Sequence, residues 1–253
     1  LPGQGFYFFA NSTQGGAPAP SQPVYSWIDP VGSGHTLVLD ADWVGSGDDG
    51  WVGPFDAGFS FNFFGTAFTQ AYIGSNGLVT FGSGSSSFVY AAIPAAATPN
   101  NLIAGAWRDL DCRTGTYADA KVYYGTISGG FVATFIHAHA FGSLTDYITF
   151  QIIIKSNGNI KIQYNDVETT FPPPSSIIDN CAVGIENSDG TLGIQYRFDG
   201  AGGPMFGSPL ALEFGLDQGA LPIQLTSFTA QLNPPGGVRL DWTTASETNN
   251  YGF

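Results

Sequence analysis

Four carboxylates lie close together in a glycine-rich stretch near the beginning of the chain. They are Asp40, Asp42, Asp48 and Asp49, and the last two stand between Gly47 and Gly50. Calcium prefers several oxygen ligands from one loop, so this composition predicts a calcium site. The ligand spacing of an EF-hand, with its terminal Glu, is missing. A solvated acidic turn is the alternative interpretation.

Two further pairs of polar residues have the i, i+2 spacing that places side chains on one face of a strand. Asp109 and Asp111 form the first pair, which indicates either shared binding or a polar strand end. His137 and His139 form the second. Two imidazoles bind a transition metal only if a third ligand converges on them, and no spacing supplies one. We therefore interpret the histidines as polar strand-end residues.

The common catalytic motifs are missing from the sequence. It contains no nucleophile elbow, zinc-binding His-Glu-x-x-His segment, phosphate-binding glycine loop or Cys-x-x-Cys pair. We therefore expect a protein that is not an enzyme and needs no cofactor, with calcium at the acidic loop as the exception.

Three aromatic residues lie in loop-like contexts, namely Trp43, Trp51 and Tyr90. Exposed rings of this kind can stack on sugar rings, which predicts a carbohydrate-binding surface. An aromatic residue near glycine also commonly covers the edge of a core. The sequence leaves both interpretations open.

The charge balance limits the classes of partner. Seven Lys and Arg face 20 Asp and Glu, which gives a formal net charge of -13. The negative electrostatic potential of such a protein repels the phosphate backbone of nucleic acids, so we predict that nucleic acid is not a partner. No apolar run reaches the roughly 18 residues of a membrane span. Low lysine and high glycine content are typical of extracellular proteins, in which a single pair of cysteines usually forms a disulfide. We therefore predict a disulfide between Cys112 and Cys181.

The elements that position these residues are predicted to be strands. About a dozen short apolar or alternating runs are separated by glycine-containing turns, and no segment has a sustained helical period. Asn-Gly pairs at 76–77 and 157–158 predict hairpins, the first with a type I′ turn. We predict an all-β chain, with a β-sandwich or jelly-roll-like domain over residues 36–215. An extended aromatic arm (1–35) precedes it, and a linker with an incomplete two-stranded segment of the immunoglobulin or fibronectin III type (216–253) follows.

The C-terminal segment resembles a known family. Residues 221–230 and 238–253 are similar to a segment of secreted proteins from Bacteroidetes and related bacteria. There it opens a fibronectin type III-like domain that often precedes a type IX secretion sorting domain. Residues 73–82, 99–111 and 182–187 resemble nidogen-like extracellular domains more weakly. These resemblances imply export, a bacterial cell surface and structural or adhesive work, and they bring no catalytic residue.

Two strands alone cannot bury their apolar face, so the C-terminal pair must pack on something. We therefore predict an extracellular structural protein, a subunit of a surface filament or layer that self-associates by exchanging strands or arms. The predicted interface consists of apolar residues in the arm and the strand pair: Phe6, Phe8, Phe9, Ile223, Leu225, Phe228, Val238, Leu240 and Trp242. The alternatives are a secreted adhesive or glycan-binding module, with or without calcium, and an accessory domain of a larger secreted hydrolase.

Overall fold

The alternating apolar segments form β-strands throughout the part of the chain that the structure describes. The computed structural model describes residues 7–13, 23–168, 177–203, 209–216, 225–233 and 237–244. Two single 3-10 turns, Asp40–Asp42 and Ile177–Asp179, are the helical elements of these ranges. The strands are β1 (Tyr7–Asn11), β2 (Thr36–Leu37), β3 (Trp51–Phe63), β4 (Thr66–Gly74), β5 (Leu78–Thr80), β6 (Leu102–Trp107), β7 (Leu110–Asp111), β8 (Lys121–Ile127), β9 (Gly130–Ala140), β10 (Tyr147–Lys155), β11 (Ile160–Glu168), β12 (Ala182–Glu186), β13 (Gly193–Phe198), β14 (Ala201–Gly202), β15 (Leu210–Leu216), β16 (Leu225–Asn233) and β17 (Gly237–Thr244).

The strands of residues 7–216 form two antiparallel sheets. The larger has the order β1-β15-β11-β10-β9-β8-β2, with β7 beside β9. The smaller has the order β14-β13-β12-β6-β5-β4-β3. Their inner faces share one apolar core. The predicted all-β sandwich is confirmed. Strand β1 lies within the predicted arm and pairs with β15, so the arm supplies an edge strand of the larger sheet.

The two sheets approach closely at Gly105 of β6. The Tyr164 hydroxyl of β11 donates a hydrogen bond to the Gly105 carbonyl oxygen across 2.6 Å. A Cβ atom at Gly105 would lie 2.4 Å from the Phe150 ring, so this position requires glycine. Phe150 in turn stacks on its cross-strand neighbour Phe135, with the ring centroids 4.5 Å apart. These contacts fix the spacing of the sheets.

The outer face of β10 is also buried. Thr149 and Gln151 point away from the inter-sheet core, yet both are buried. An extended segment, residues 23–28, lies over this face and bonds to Gln151 and to Gln163 of β11. The polar alternation along β10 therefore marks a second covered face, which the sequence pattern did not indicate.

The predicted disulfide is wrong. Cys112 and Cys181 are both buried, and no disulfide joins them. Each thiol fills its own site in the core, Cys112 beside the Asp111 carboxylate and Cys181 beside the Arg197 guanidinium. Cys112 Sγ donates to the Ser75 carbonyl oxygen at 3.6 Å. Burial raises the pKa of Cys181 to about 12 and that of Cys112 in the same direction.

The predicted type I′ turn is also wrong. Strands β4 and β5 are joined by residues 75–77, and of these only Gly77 has a positive φ, +79°. A type I′ turn requires positive φ at both central residues. Asn76 instead keeps an ordinary backbone conformation, and its side chain points into the molecule.

Residues 217–253 form a second compact unit, whose described part is the hairpin of β16 and β17. Leu232 and Val238 are directly opposite each other in this hairpin. They are 85% and 62% exposed, so this cross-strand pair presents an apolar surface.

Candidate functional site

The buried side chain of Asn76 connects three loops at one end of the sandwich. Its amide nitrogen donates to Asp49 Oδ1 at 3.0 Å and to the Ser86 carbonyl oxygen at 3.4 Å. Its amide oxygen accepts from the Leu110 main-chain nitrogen at 2.7 Å. Loops 45–50 and 83–90 and the segment 107–113, which contains β7, therefore meet at this turn.

Ser75 and Cys112 attach the acidic loop a second time. The Ser75 hydroxyl accepts from the Gly50 nitrogen at 3.0 Å and donates to the Asp48 carbonyl oxygen. The Cys112 main-chain nitrogen donates to the Gly47 carbonyl oxygen at 2.7 Å. Because its backbone is bonded on both sides, the loop holds its carboxylates in fixed positions.

Three carboxylates converge at this end. Single oxygen atoms of Asp48, Asp49 and Asp109 all lie within 4.8 Å of one another. Burial and the neighbouring Asp111 charge raise the pKa of Asp48 to about 6. Burial and the Asp49 charge raise the pKa of Asp109 as well. Charges of one sign, partly removed from water, favour protons, metal cations or cationic groups of a partner.

Arg113 compensates part of this charge. Its guanidinium lies 2.5 Å from Asp111 Oδ2, which is almost fully buried, and 3.2 Å from Asp48 Oδ2. Arg113 thereby links Asp111 to Asp48 of the acidic loop, a contact that the sequence spacing did not predict.

The structure does not bring Asp40 and Asp42 to this cluster. Asp40 accepts hydrogen bonds from the hydroxyl and nitrogen of Thr114 and from the Gly115 nitrogen. Burial raises the pKa of Asp40, but these bonds outweigh that effect, so the pKa is lowered overall. Asp42 accepts from the Leu39 nitrogen. The structure therefore groups Asp48 and Asp49 with Asp109, because Asp40 bonds to the loop at 114–115 and Asp42 bonds within its own turn. Calcium binding at this end stays a prediction.

Exposed apolar side chains lie on the loops that hydrogen bonds join to this end of the sandwich. Asn76, Trp107 and Asp109 hold these loops at this end. The Trp107 indole nitrogen donates to the Ser87 carbonyl oxygen at 2.9 Å, and the Phe141 nitrogen donates to the Asp109 carbonyl oxygen at 3.1 Å. The side chains are between 46% and 78% exposed, and they are Val44, Phe88, Val89, Phe141 and Leu144. We call this surface, with Asp48, Asp49 and Asp109, the acidic end.

A groove of different character lies at the other end of β9. It has a volume of about 360 Å³, and its lining includes Ile28, Ile127, Ile153, Lys155 and Lys161. Two of the three lysines of the chain are thus in one groove. Lys155 pairs with Glu213 at 2.9 Å, whereas Lys161 donates to the Val24 carbonyl oxygen, a neutral acceptor. We call this surface the lysine groove.

A family model described as NIDO related matches residues 25–202. The chain belongs to this NIDO-related family. The match covers β2 to β14 and the whole acidic end, whereas β1 and β15 of the larger sheet and the hairpin of β16 and β17 lie outside it. Comparison with curated proteins and with solved structures finds no match for the chain.

The match supports the nidogen-like resemblance and an extracellular type of domain. Among the described residues of the NIDO-related domain and the hairpin, no helix is both long enough and apolar enough to cross a bilayer.

The three loop aromatics have different environments in the NIDO-related domain. Trp43 is buried in the core, so the interpretation of this ring as a sugar platform is wrong. The Trp51 ring is covered by Gly84, where a Cβ atom would lie 2.1 Å from it. Tyr90 is partly exposed and donates to Asp199 Oδ1 at 2.7 Å. A role of Trp51 or Tyr90 in ligand binding stays a prediction.

The histidine pair gains a neighbour that spacing did not reveal. Asp119, from the loop before β8, lies 2.9 Å from His137 Nδ1 and 3.3 Å from His139 Nε2. His139 also stacks on Tyr117, with ring centroids 4.1 Å apart. The carboxylate occupies the space between the imidazoles, so these contacts form a hydrogen-bonded network in this region.

Only some predicted interface residues can be placed. Phe9 in β1 packs edge-on against Tyr196 at 5.4 Å, so its ring joins the sandwich. Val238 is exposed beside Leu232. Phe6 and Ile223 lie outside the described residues. Phe8, Leu225, Phe228, Leu240 and Trp242 belong to described strands, but their side chains lie outside the description.

Proposed function

We propose that this NIDO-related domain is a subunit of an extracellular assembly on a bacterial surface, in which copies associate end to end. One observation carries the proposal: unlike surfaces lie at opposite ends of β9. Phe141 follows Ala140, the last residue of this strand, whereas Gly129 in the lysine groove precedes its first. An 11-residue strand spans roughly 33 Å, so the two surfaces are well separated.

The two surfaces are complementary in charge and in polarity. The acidic end offers three carboxylates and exposed apolar side chains on the adjoining loops, and the lysine groove offers an ammonium group beside isoleucines. Docking one on the other would bury apolar surface on both sides and bring Lys161 towards carboxylates. A contact between unlike surfaces of identical copies does not close on itself in general, so repetition builds a filament.

The overall charge makes orientation important. With a net charge of -13, copies repel one another unless unlike regions face each other. The end-to-end arrangement places positive charge from one copy against the cluster of Asp48, Asp49 and Asp109 on the next. We therefore expect association to weaken as salt screens these charges.

The second unit supplies another candidate contact. The exposed pair Leu232 and Val238 lies in the hairpin of β16 and β17, and within the described ranges no further strand pairs with its edges. Strand addition from another molecule would satisfy backbone groups and cover apolar side chains. We include this contact in the proposed assembly, as the place where neighbouring copies exchange strands.

A lysine replacement tests the end-to-end contact. Lys161→Glu reverses the charge in the groove and is expected to shift association to at least about tenfold higher concentration, roughly 1.4 kcal/mol. Lys121→Glu changes the third lysine, which lies on β8 outside the groove and donates to the Ala118 carbonyl oxygen. Sedimentation velocity compares the two variants. Equal weakening by both would show that only net charge matters and would remove the specific contact.

A second candidate function is an adhesive module for neutral glycans. A cleft of about 400 Å³ beside β5 is lined by hydroxyl and amide groups: Thr80, Ser83, Ser85, Ser86, Ser87, Thr98 and Asn100. Such groups match the hydrogen-bonding pattern of sugar hydroxyls. A glycan array with and without chelator tests this function and the predicted calcium site together. The absence of binding in both conditions would exclude the glycan function.

We also propose that the chain itself is not an enzyme. A third candidate function is that of an accessory domain in a larger secreted hydrolase. Sequencing the gene downstream of residue 253 separates this reading from the others. A catalytic domain encoded there would favour the accessory role.

A further inference from the structure

Several oxygen atoms converge where the loop of residues 94–100 meets the end of β12. The side-chain amide of Asn100 ends beside four of them: the carbonyl oxygens of Ala97 at 2.9 Å and of Ala95 and Pro99 at 3.1 Å, and Glu186 Oε1 at 3.0 Å. Glu186 is the last residue of β12 and is 2% exposed. We call the four oxygens, together with the Asn100 amide, the oxygen cluster.

The Asn100 amide alone does not satisfy this cluster. Its nitrogen, turned towards the oxygens, offers two hydrogens to four acceptors, one of which belongs to a carboxylate. The other carboxylate oxygen, Glu186 Oε2, accepts from the Ala95 nitrogen, and within the described ranges no cationic side chain pairs with Glu186. Because a buried charge is costly without a partner, the cluster has room in its charge balance for a cation.

The loop that carries the carbonyl groups is held against the smaller sheet. Just before it, the Ile93 nitrogen donates to Gln195 Oε1 of β13 at 3.0 Å. Gly190 packs directly on the loop, because a Cβ atom at this position would clash with the Ala95 carbonyl oxygen. The carbonyl oxygens therefore keep their positions without a ligand, which lowers the cost of binding one.

The spacing of these oxygens matches the ligand shell of a hard cation. Calcium takes about six to eight oxygen ligands at about 2.3–2.6 Å, and carbonyl, amide and carboxylate oxygens are typical among them. Neighbouring oxygens in such a shell lie roughly 3 Å apart. With its amide oxygen turned inward, Asn100 would lie at this spacing, 2.9–3.1 Å, from the other four oxygens. The cluster then supplies five oxygen ligands.

We propose that the oxygen cluster is a calcium site. Glu186 supplies the negative charge, Asn100 an amide oxygen and the loop three carbonyl oxygens, and water completes the coordination. A single carboxylate predicts weak binding, with a dissociation constant of about 10⁻⁴–10⁻³ M, the range of extracellular calcium modules. The site shares no residue with the acidic end and does not depend on the end-to-end assembly. Asn100 also lines the polar cleft beside β5, so the cation would order one wall of that cleft.

Calorimetric titration of the full-length chain with calcium chloride tests the site. Every chain carries Asp109→Asn, which removes a carboxylate from the acidic end and so reduces binding there. Glu186→Gln removes the charged ligand of the proposed site and is expected to weaken calcium binding at least about tenfold. Asp56→Asn, at an exposed carboxylate, is the control and should leave the affinity unchanged. No binding in the Asp109→Asn chain, or equal binding by the Glu186→Gln and Asp56→Asn variants, overturns the proposal.

Two replacements of Asn100 give a test that a folding defect cannot imitate. Asn100→Asp adds a second carboxylate to the cluster and should tighten calcium binding about tenfold, because affinity rises with the charge of the ligands. Asn100→Ala removes the amide ligand and should weaken binding by a similar factor. Unchanged or weaker binding by Asn100→Asp contradicts the site.

Thermal unfolding distinguishes a calcium site from a general effect of salt. The unfolding temperature should rise in calcium chloride relative to chelator, and it should not rise in sodium chloride of the same ionic strength, because only a bound ion stabilises the folded state by mass action. In chelator no cation lies beside Glu186, and its proton equilibrium alone then acts on stability. An equal rise in both salts contradicts a specific calcium site.

Discussion

Asn76 and Asp49 are joined by a hydrogen bond of 3.0 Å between a fully buried amide and a carboxylate of the acidic end. The same amide accepts from the Leu110 nitrogen, so one neutral side chain holds the acidic loop against the end of the larger sheet. The turn that carries Asn76 therefore positions the charged surface on which the proposed function depends.

We expect Asn76→Ala to destabilise the domain by about 3 kcal/mol. It removes a charge-assisted bond and leaves the buried Leu110 nitrogen without its acceptor. Urea unfolding measures the change. Asn157→Ala, in the exposed β10–β11 turn, is the control and should cost less than about 1 kcal/mol. Similar stabilities of the two variants would refute the central role of Asn76.

Glu186 should make stability fall as pH rises. It is 2% exposed and accepts from the Ala95 nitrogen at 2.6 Å. Burial raises its pKa to about 7, although the Ala95 bond lowers it. Because the folded pKa exceeds the unfolded one, the folded state holds the proton more tightly, and stability is lost between about pH 4.5 and pH 7.

Glu186→Gln should remove this loss. We expect the variant to be more stable than the original chain above pH 7, by about 1–3 kcal/mol, and of similar stability near pH 4. Thermal unfolding across pH measures the difference. Asp56→Asn, at an exposed carboxylate, serves as the control. A constant difference between Glu186→Gln and the original chain at all pH values would show that Glu186 does not titrate as described.

The thiols of Cys112 and Cys181 should be unreactive until the domain unfolds. Both are buried and neither is in a disulfide. Alkylation followed by mass spectrometry should detect no modification of the native chain and two modifications in urea. A reducing agent should leave the unfolding temperature unchanged. If two sites of the unfolded chain become alkylated only after reduction, Cys112 and Cys181 do form a disulfide.

Gly105→Ala should be strongly destabilising. The added Cβ would lie 2.4 Å from Phe150 and would force apart the sheets that the Tyr164 hydroxyl joins. Overpacking of this kind costs about 1–3 kcal/mol. Gly115→Ala is the control, because its Cβ would lie 3.9 Å from the nearest atom. Urea unfolding that ranks Gly115→Ala as the more damaging change would contradict this account of the packing.

The fold class could be predicted from the sequence because period-two apolar patterns and glycine-containing turns determine strands and their ends. The buried outer face of β10 could not be predicted in this way. Gln151 and Gln163 look like solvent-facing residues of alternating strands, and only the position of residues 23–28 shows that they are buried. An alternating polar pattern shows that one face of a strand needs hydrogen-bond partners. It does not show whether water or another peptide segment supplies them.

The acidic end could be predicted in part. The carboxylates at 48 and 49 are neighbours in sequence, but Asp109 reaches them only because Asn76 bonds the two loops together. Asp40 and Asp42 share the composition of the loop and still bond elsewhere. Thr114, which is distant in sequence, offers Asp40 its nitrogen and hydroxyl group, and the Leu39 nitrogen bonds to Asp42. The sequence feature that pointed to Asn76 was the Asn-Gly pair, which predicts a hairpin. This pair does not predict that the Asn76 amide is buried.

Sedimentation velocity of the full-length chain over a wide concentration range, at low and high salt, tests the end-to-end assembly most directly. The assembly predicts a weight-average mass that rises with concentration well above the 26.6 kDa of one chain, without stopping at the dimer. It also predicts that high salt reverses the rise. A constant mass of one chain at every concentration and salt would contradict the proposed function.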